Sequence, residues 1–343
     1  MQRLTLAGRL IITAVIIAAL YFGIRYFTGG KLGTDTPAAT TESPSIPGST
    51  APAAGSTDAA TGSADNASAT TATPAAFTYE APQPVNGKLK GVVELGASGF
   101  NSFIVRIDGQ KNWKLEKAEF GNSLVIENMA SDADVRAGLK SYIGKMLDYG
   151  VAGRDIHFVV SSGAIKAENT GKIIKALKSL NYVVNTVTPE KEGVLALRSV
   201  LPPSYADQAF VMDIGSGNTK ISWLSGGQPK SLETYGAKYF QNSTDDATVA
   251  ADVKAKAGQV PAELRQTCFI IGGVPFELAK QVRKGEERYT VLSAPDAYKL
   301  DNAKSKAGLN IYRAAAEATG AKQFVFDWDA NFTIGYLLTL PSN

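Results

Sequence analysis

The sequence predicts an α/β protein built from two similar halves with a cleft between them, preceded by one apolar helix and an unstructured linker. Three observations carry that prediction: an uncharged apolar run near the start, a long tract of small residues after it, and a strand–glycine turn–strand pattern that occurs twice with an acid at the same place. Leu10 to Ile24 holds no charge. With Arg25 turned toward the headgroups the apolar span reaches Phe27, enough helix to cross a bilayer core, and Tyr21, Phe22, Tyr26 and Phe27 fit an interfacial belt. No Ala-x-Ala-like site closes the run, which favours an uncleaved anchor over a signal peptide and makes the chain a single-pass protein of a prokaryotic inner membrane. Arg3 and Arg9 precede the span while Arg25 and Lys31 follow it, so the side of the membrane that holds the folded part stays open. Between Thr34 and Ala76 every residue is Thr, Ala, Ser, Pro or Gly except Asp35, Glu42, Ile46, Asp58, Asp65 and Asn66, and such a segment cannot bury a core. The expected divisions are a tail over 1–9, a transmembrane helix over 10–27, a linker over 28–84 and two halves over 85–205 and 206–343.

Composition removes several chemistries. The 343 residues carry 35 basic and 32 acidic side chains, a net +3 too scattered for a nucleic-acid duplex. Cys268 and His157 are the only residues of their kinds, which excludes a disulfide framework, a cysteine-rich zinc site and any triad that needs a second histidine. Both lie in apolar strands and read as core.

From about Val85 the periodicity becomes globular. KGVVELG, FNSFIVRID and WKLEKAEF predict a three-stranded meander. Ser131 caps an amphipathic helix that ends at Gly150, IHFVVSS follows as a buried strand, and a helix over 171–180, a strand in YVVNTV and a helix opened by Thr188-Pro189 complete the first half. QAFVMDIGSG, NTKISWLSGG and QPKSLETYG restart the meander; strand TCFIIGG, helices in PFELAKQVRKG and KSKAGLNIYRAAAEATG, and strand QFVFDWD close the chain. Gly272-Gly273-Val274-Pro275 reads first as a strand-to-helix turn and second as a nucleotide-side glycine pair.

Laying VVELGASGFNSFIVRI over FVMDIGSGNTKISWL makes Glu94 and Asp213 equivalent, each at a strand end before a glycine-bearing turn. Glycines let backbone amides approach phosphate oxygens, and a carboxylate beside them can hold a hydrated divalent cation. Two such turns face to face would form a phosphate clamp.

These motifs resemble the actin-like ATPase superfamily, with ribonuclease-H-like halves, and within it the exopolyphosphatase and guanosine pentaphosphate phosphatase (Ppx/GppA) family. Its Asp-Leu-Gly-Ser-Asn-Ser-Phe motif appears as Glu94-Leu95-Gly96-Ala97-Ser98-Gly99-Phe100, and Asp-Ile-Gly-Gly-Gly-Ser-Thr as Asp213-Ile214-Gly215-Ser216-Gly217-Asn218-Thr219. Thr188-Pro189-Glu190-Lys191-Glu192-Gly193 matches the family's helix start, and Lys166 stands where the family has a phosphate-contacting arginine. GAKYF matches a loop-to-helix segment of the family, and Asp327 takes the last strand-end position. The resemblance implies Glu192 as catalytic base, Glu94 and Asp213 as magnesium-positioning carboxylates, and Gly96, Ala97, Ser98, Gly99, Lys166, Gly215, Ser216, Gly217 and Asn218 as phosphate binders. It implies Mg2+ as cofactor, polyphosphate or guanosine pentaphosphate as ligand, and a homodimer among the possible assemblies. Glu94 for aspartate, Ser98-Gly99 for Asn-Ser, Lys166 for arginine and Trp328 to Phe332 in place of the usual glycine- and arginine-bearing turn all fall at the motifs. Two functions therefore compete: a membrane-tethered phosphoanhydride hydrolase, and a degenerate module that binds a phosphate ligand or partner protein. An actin-like polymer or kinase would need a larger adenosine-side subdomain.

Overall fold

The computed structural model describes residues 77–96, 99–121, 132–165 and 168–341, which belong to one compact unit. The apolar segment 10–27 and the tract after it lie outside the described residues. Among the described residues no helix is long and apolar enough to cross a membrane.

The first half comprises β1 (Lys88–Gly96), β2 (Gly99–Ile107), β3 (Trp113–Phe120), α1 (Asp132–Asp148), β4 (Ile156–Val160), α2 (Glu168–Ser179), β5 (Val184–Thr186) and α3 (Pro189–Val200). The second comprises β6 (Ala209–Ile214), β7 (Asn218–Ser225), β8 (Gln228–Tyr235), α4 (Asp246–Ala257), β9 (Thr267–Ile271), α5 (Gly273–Val282), β10 (Tyr289–Val291), α6 (Ala303–Thr319), β11 (Gln323–Asp327) and α7 (Phe332–Thr339). Strand order is β3-β2-β1-β4-β5 in one sheet and β10-β11-β9-β6-β7-β8 in the other. Read from the meander inward, the second order repeats the first and adds β10 at the far edge. The duplication seen in the sequence is thus a duplication of topology.

Three cores hold this arrangement. One lies between α1, α2 and the outer face of the first sheet, around Leu139, Met146, Phe158 and Leu177. A second lies between α4–α6 and the outer face of the second sheet, around Phe210, Ile270, Ile311 and Tyr312. The third joins the halves, because α3 and α7 bring Leu195, Leu197, Ile334 and Leu337 against inner-face residues of both sheets, Val92 and Phe103 from one, Val211 and Phe269 from the other. The two helices approach closely: a side chain at Gly335 would overlap the Leu195 carbonyl, and one at Gly193 would overlap Ser222 and Ser231 of the second sheet. Their N-termini are fixed by side chains, Thr188 accepting from Lys191 N and Asn331 from Thr333 N.

The linker ends earlier than the sequence indicates. Residues 77–84 have no regular structure, yet the Phe77 ring packs against Phe269, Tyr205 and Tyr289 at centroid distances of 5.6, 5.4 and 5.2 Å, and Tyr79 joins the same cluster. Farther along, Val85 N donates to Asp108 Oδ2 of the first half. This strap ties the first half's β2–β3 turn to the second sheet.

Candidate functional site

The acids singled out in the sequence meet where the halves meet. Glu94 lies near the end of β1, opposite Asn101 of β2, and Asp213 near the end of β6, opposite Lys220 of β7. Asn101 and Lys220 are therefore equivalent positions in the duplication, but Asn101 donates to its own half's acid while Lys220 pairs with Glu192 of the other half. Asn101 Nδ2 donates to Glu94 Oε2 at 3.0 Å, and Asn331 Nδ2, from the residue that caps α7, donates to the same oxygen at 3.1 Å. The substituted turn before α7 thus supplies Glu94 with a second amide.

Glu192 is where sequence chemistry and structure diverge most. Its place in the first turn of α3 would suit a solvated acid, but it is only 3% exposed. Its Oε1 pairs with the Lys220 ammonium, itself 2% exposed, while Oε2 accepts from Ser162 N at 2.7 Å and Ser162 Oγ at 2.6 Å. Ser162 Oγ in turn accepts from Asn218 Nδ2 at 2.9 Å, whose other proton goes to Glu233 Oε1 at 2.7 Å. One network therefore joins β4's following turn, α3 and the second meander.

The turn after β6 is held from behind: Gly215 N donates to Asn218 O, and Ala237 and Lys238 N donate to Gly215 and Ser216 O. That is the role of the GAKYF segment. At Gly217 an added Cβ would lie 3.0 Å from Gly163 Cα, so the glycine permits contact with the first half's 161–165 turn; its φ is not positive. Gly96 and Gly99 flank the β1–β2 turn and Gly215, Ser216, Gly217 and Asn218 form the β6–β7 turn, whereas Ala97, Ser98 and Lys166 lie outside the described residues. Gly272 is accounted for by φ +113 and by its approach to the Ile214 carbonyl, with no ligand needed. Asp327 is not part of the acid group. Arg288 Nε and Nη2 hold its two oxygens at 2.9 Å each, with the Arg288 guanidinium over the Trp113 ring. Cys268 is buried core as expected, while His157 is half-buried against Tyr336. Cavities of about 490 and 260 Å³ border the strap, between Tyr79, Trp113 and Arg288, and none of the site residues lines them.

Burial governs the electrostatics. It raises the Glu94 carboxyl from 4.5 to about 7, with Glu192 and Asp213 adding repulsion and the Asn101 and Asn331 amides opposing. Burial likewise raises Asp213 from 3.8 to about 6, where Lys220 opposes and Glu192 adds. A raised carboxyl binds its proton in the folded chain at a pH where the unfolded chain has lost it. The folded state therefore loses stability as pH rises from about 4 through 7 and regains it on acidification. Glu94→Gln is expected to raise the melting temperature at about pH 8 and to remove about half of the site's pH dependence, Asp213 carrying the rest, an effect on the order of 2 kcal/mol after allowing for the partial exposure of Glu94. Melting curves at about pH 5.5 and 8 check this; an unchanged difference in the variant would show that Glu94 is not the titrating group.

Magnesium suits this donor set poorly. Among the described residues no three His, Cys, Asp or Glu side chains converge as a metal site, and the Lys220 ammonium is paired with Glu192 while its charge acts on Asp213. Of the residues in the network, Lys220, Ser162, Asn101, Asn331 and Glu233 were not singled out from the sequence. The repeat itself carried the signal for two of them, since it lays Asn101 over Lys220.

No family model matches the chain, and no curated protein matches it by sequence. Solved structures do. A Ppx/GppA family member from Aquifex aeolicus is 16% identical over 74% of this chain and 97% of its own, with a TM-score of 0.55. An exopolyphosphatase from Cytophaga hutchinsonii is 13% identical over 74% of this chain and 97% of its own, with a TM-score of 0.57. The described residues have the duplicated, actin-like fold of those Ppx/GppA structures.

Proposed function

We propose that this chain is an actin-fold module that binds a phosphate-bearing ligand, polyphosphate or a guanosine polyphosphate, at the two facing turns without hydrolysing it. One observation carries the reading: Glu192, the position of the family's base, is neutralised by Lys220 and occupied by both donors of Ser162. Three donors engage its two oxygens, and general-base catalysis needs a free lone pair within reach of the attacking water. Residues 10–27 would hold the module at a membrane through the tract that follows, as one pass of an inner membrane.

Hydrolysis is the second reading. It is favoured by the 2.6 Å contact between Ser162 Oγ and Glu192 Oε2, because a carboxylate that accepts from a cleft hydroxyl could accept from a water in that place. It requires Lys220 to release Glu192 and magnesium to enter.

The test is ligand-induced stabilisation. Tripolyphosphate should raise the melting temperature as RT ln(1 + [L]/Kd) dictates, and more strongly at about pH 6 than at pH 8, because protonated Glu94 and Asp213 cease to repel it. Glu192 and Glu233 remain as the opposing charges nearby. No shift at either pH, with or without magnesium, would sink the phosphate-ligand reading. Steady release of orthophosphate would move the assignment to the hydrolase.

A further inference from the structure

We propose that Lys220 is the resident cation of this cleft: its ammonium takes the place a divalent ion would need between Glu192 and Asp213, and the phosphate ligand is bound without magnesium. The proposal rests on the phosphate-ligand reading above and goes beyond it by naming what supplies the positive charge. A lysine is seldom buried this far, since removing an ammonium from water is costly and only close counter-charges offset it. Glu192 pairs with the ammonium directly, and Asp213, opposite it in the β6–β7 register, feels its charge.

The ammonium is also aimed at the turn. An added Cβ at Gly215 would lie 3.8 Å from Lys220 Nζ, which places the charge under the glycines where phosphate oxygens would meet backbone amides. In the first half the equivalent residue is the neutral Asn101, which donates to Glu94 instead. The duplicated pair thus has one charged member and one neutral member, with the charge beneath the second-half turn. A lysine ammonium does not exchange and needs no coordination shell, so metal chelation should leave ligand binding intact.

The full chain decides this by two measurements, tripolyphosphate stabilisation with and without a chelator, and calorimetric titration with Mg2+ alone. Wild type is expected to show the same shift in both conditions and no Mg2+ uptake. Lys220→Gln is expected to lose about tenfold or more in metal-free affinity, the size of one charge-assisted contact, and to gain Mg2+ binding at the freed carboxylates. Glu192→Gln guards against a Lys220 variant that fails to fold. With Lys220 as the cation, removing its competing carboxylate strengthens metal-free binding; with a metal as the cation, it weakens binding. A wild-type shift that disappears with chelator, or Mg2+ uptake by wild type, would overturn the proposal while leaving the phosphate reading standing. Absence of any shift together with Mg2+ uptake by Lys220→Gln would overturn the phosphate reading alone.

Discussion

Replacing Lys220 by methionine is expected to destabilise the folded chain by about 3–5 kcal/mol, since it strands Glu192 and Asp213 as buried carboxylates without their cation. Denaturant unfolding at about pH 8 measures it. The loss should shrink at about pH 5.5, where Asp213 and Glu94 accept protons in place of the lost charge. Adding Glu192→Gln to the same variant should restore most of the stability, because the pair is then replaced by two neutral groups. Additive losses in the double variant would mean that the two residues do not form one unit. A single loss below about 1 kcal/mol would place Lys220 in solvent, where ion pairs contribute little.

Removing the strap is expected to have a similar effect. A fragment that begins at Val85 lacks Phe77 and Tyr79, and leaves the rings of Tyr205, Phe269 and Tyr289 facing an open seam between the halves. Phe77→Ala alone should cost about 2–4 kcal/mol, less than a fully enclosed phenylalanine because this ring is half-buried. A fragment that begins at residue 70 should unfold cooperatively with wild-type stability. Equal stability of the fragments beginning at 70 and 85 would show that the strap is held to the surface without contributing to the core.

Much of this fold was legible because its signal repeats. Two meanders with an acid before a glycine turn gave the duplicated sheets, and the strands ending in Glu94 and Asp213 occupy equivalent places in β1 and β6. What the sequence hid is instructive. Helix α4 gives no periodic signal because its buried face is only Val249, Val253 and Ala257, too sparse for a 3.6-residue stripe to stand out among alanines and charges, and only the resemblance at GAKYF points to a helix there. The three-residue strand β10 is too short for period two to register, and it exists because β11 offers an edge. Phe77 was assigned to the linker because the tract before it is uniform; a single aromatic after many small residues has no periodicity to reveal its partners.

At the site, the acids were legible and their state was not. Position along α3 says that Glu192 is in a first turn, favoured by the helix dipole, but not that Ser162 and Lys220 enclose it from two other elements. Lys220 alternates with apolar Ile221 on a strand, a pattern that reads as a solvated face until α3 is seen to cover it. Long-range packing decides burial, and burial decides whether a carboxylate is a base, a metal ligand or a counter-ion.

The most direct measurement is a phosphorus NMR time course of tripolyphosphate with the full chain at about pH 7, with and without magnesium. Broadened tripolyphosphate signals with no orthophosphate appearing over many hours, in both conditions, are the result expected of a binding module whose base is held by Lys220. Orthophosphate that accumulates only with magnesium, and that Glu192→Gln slows by about 10²-fold or more, would contradict it and restore Glu192 as a working general base.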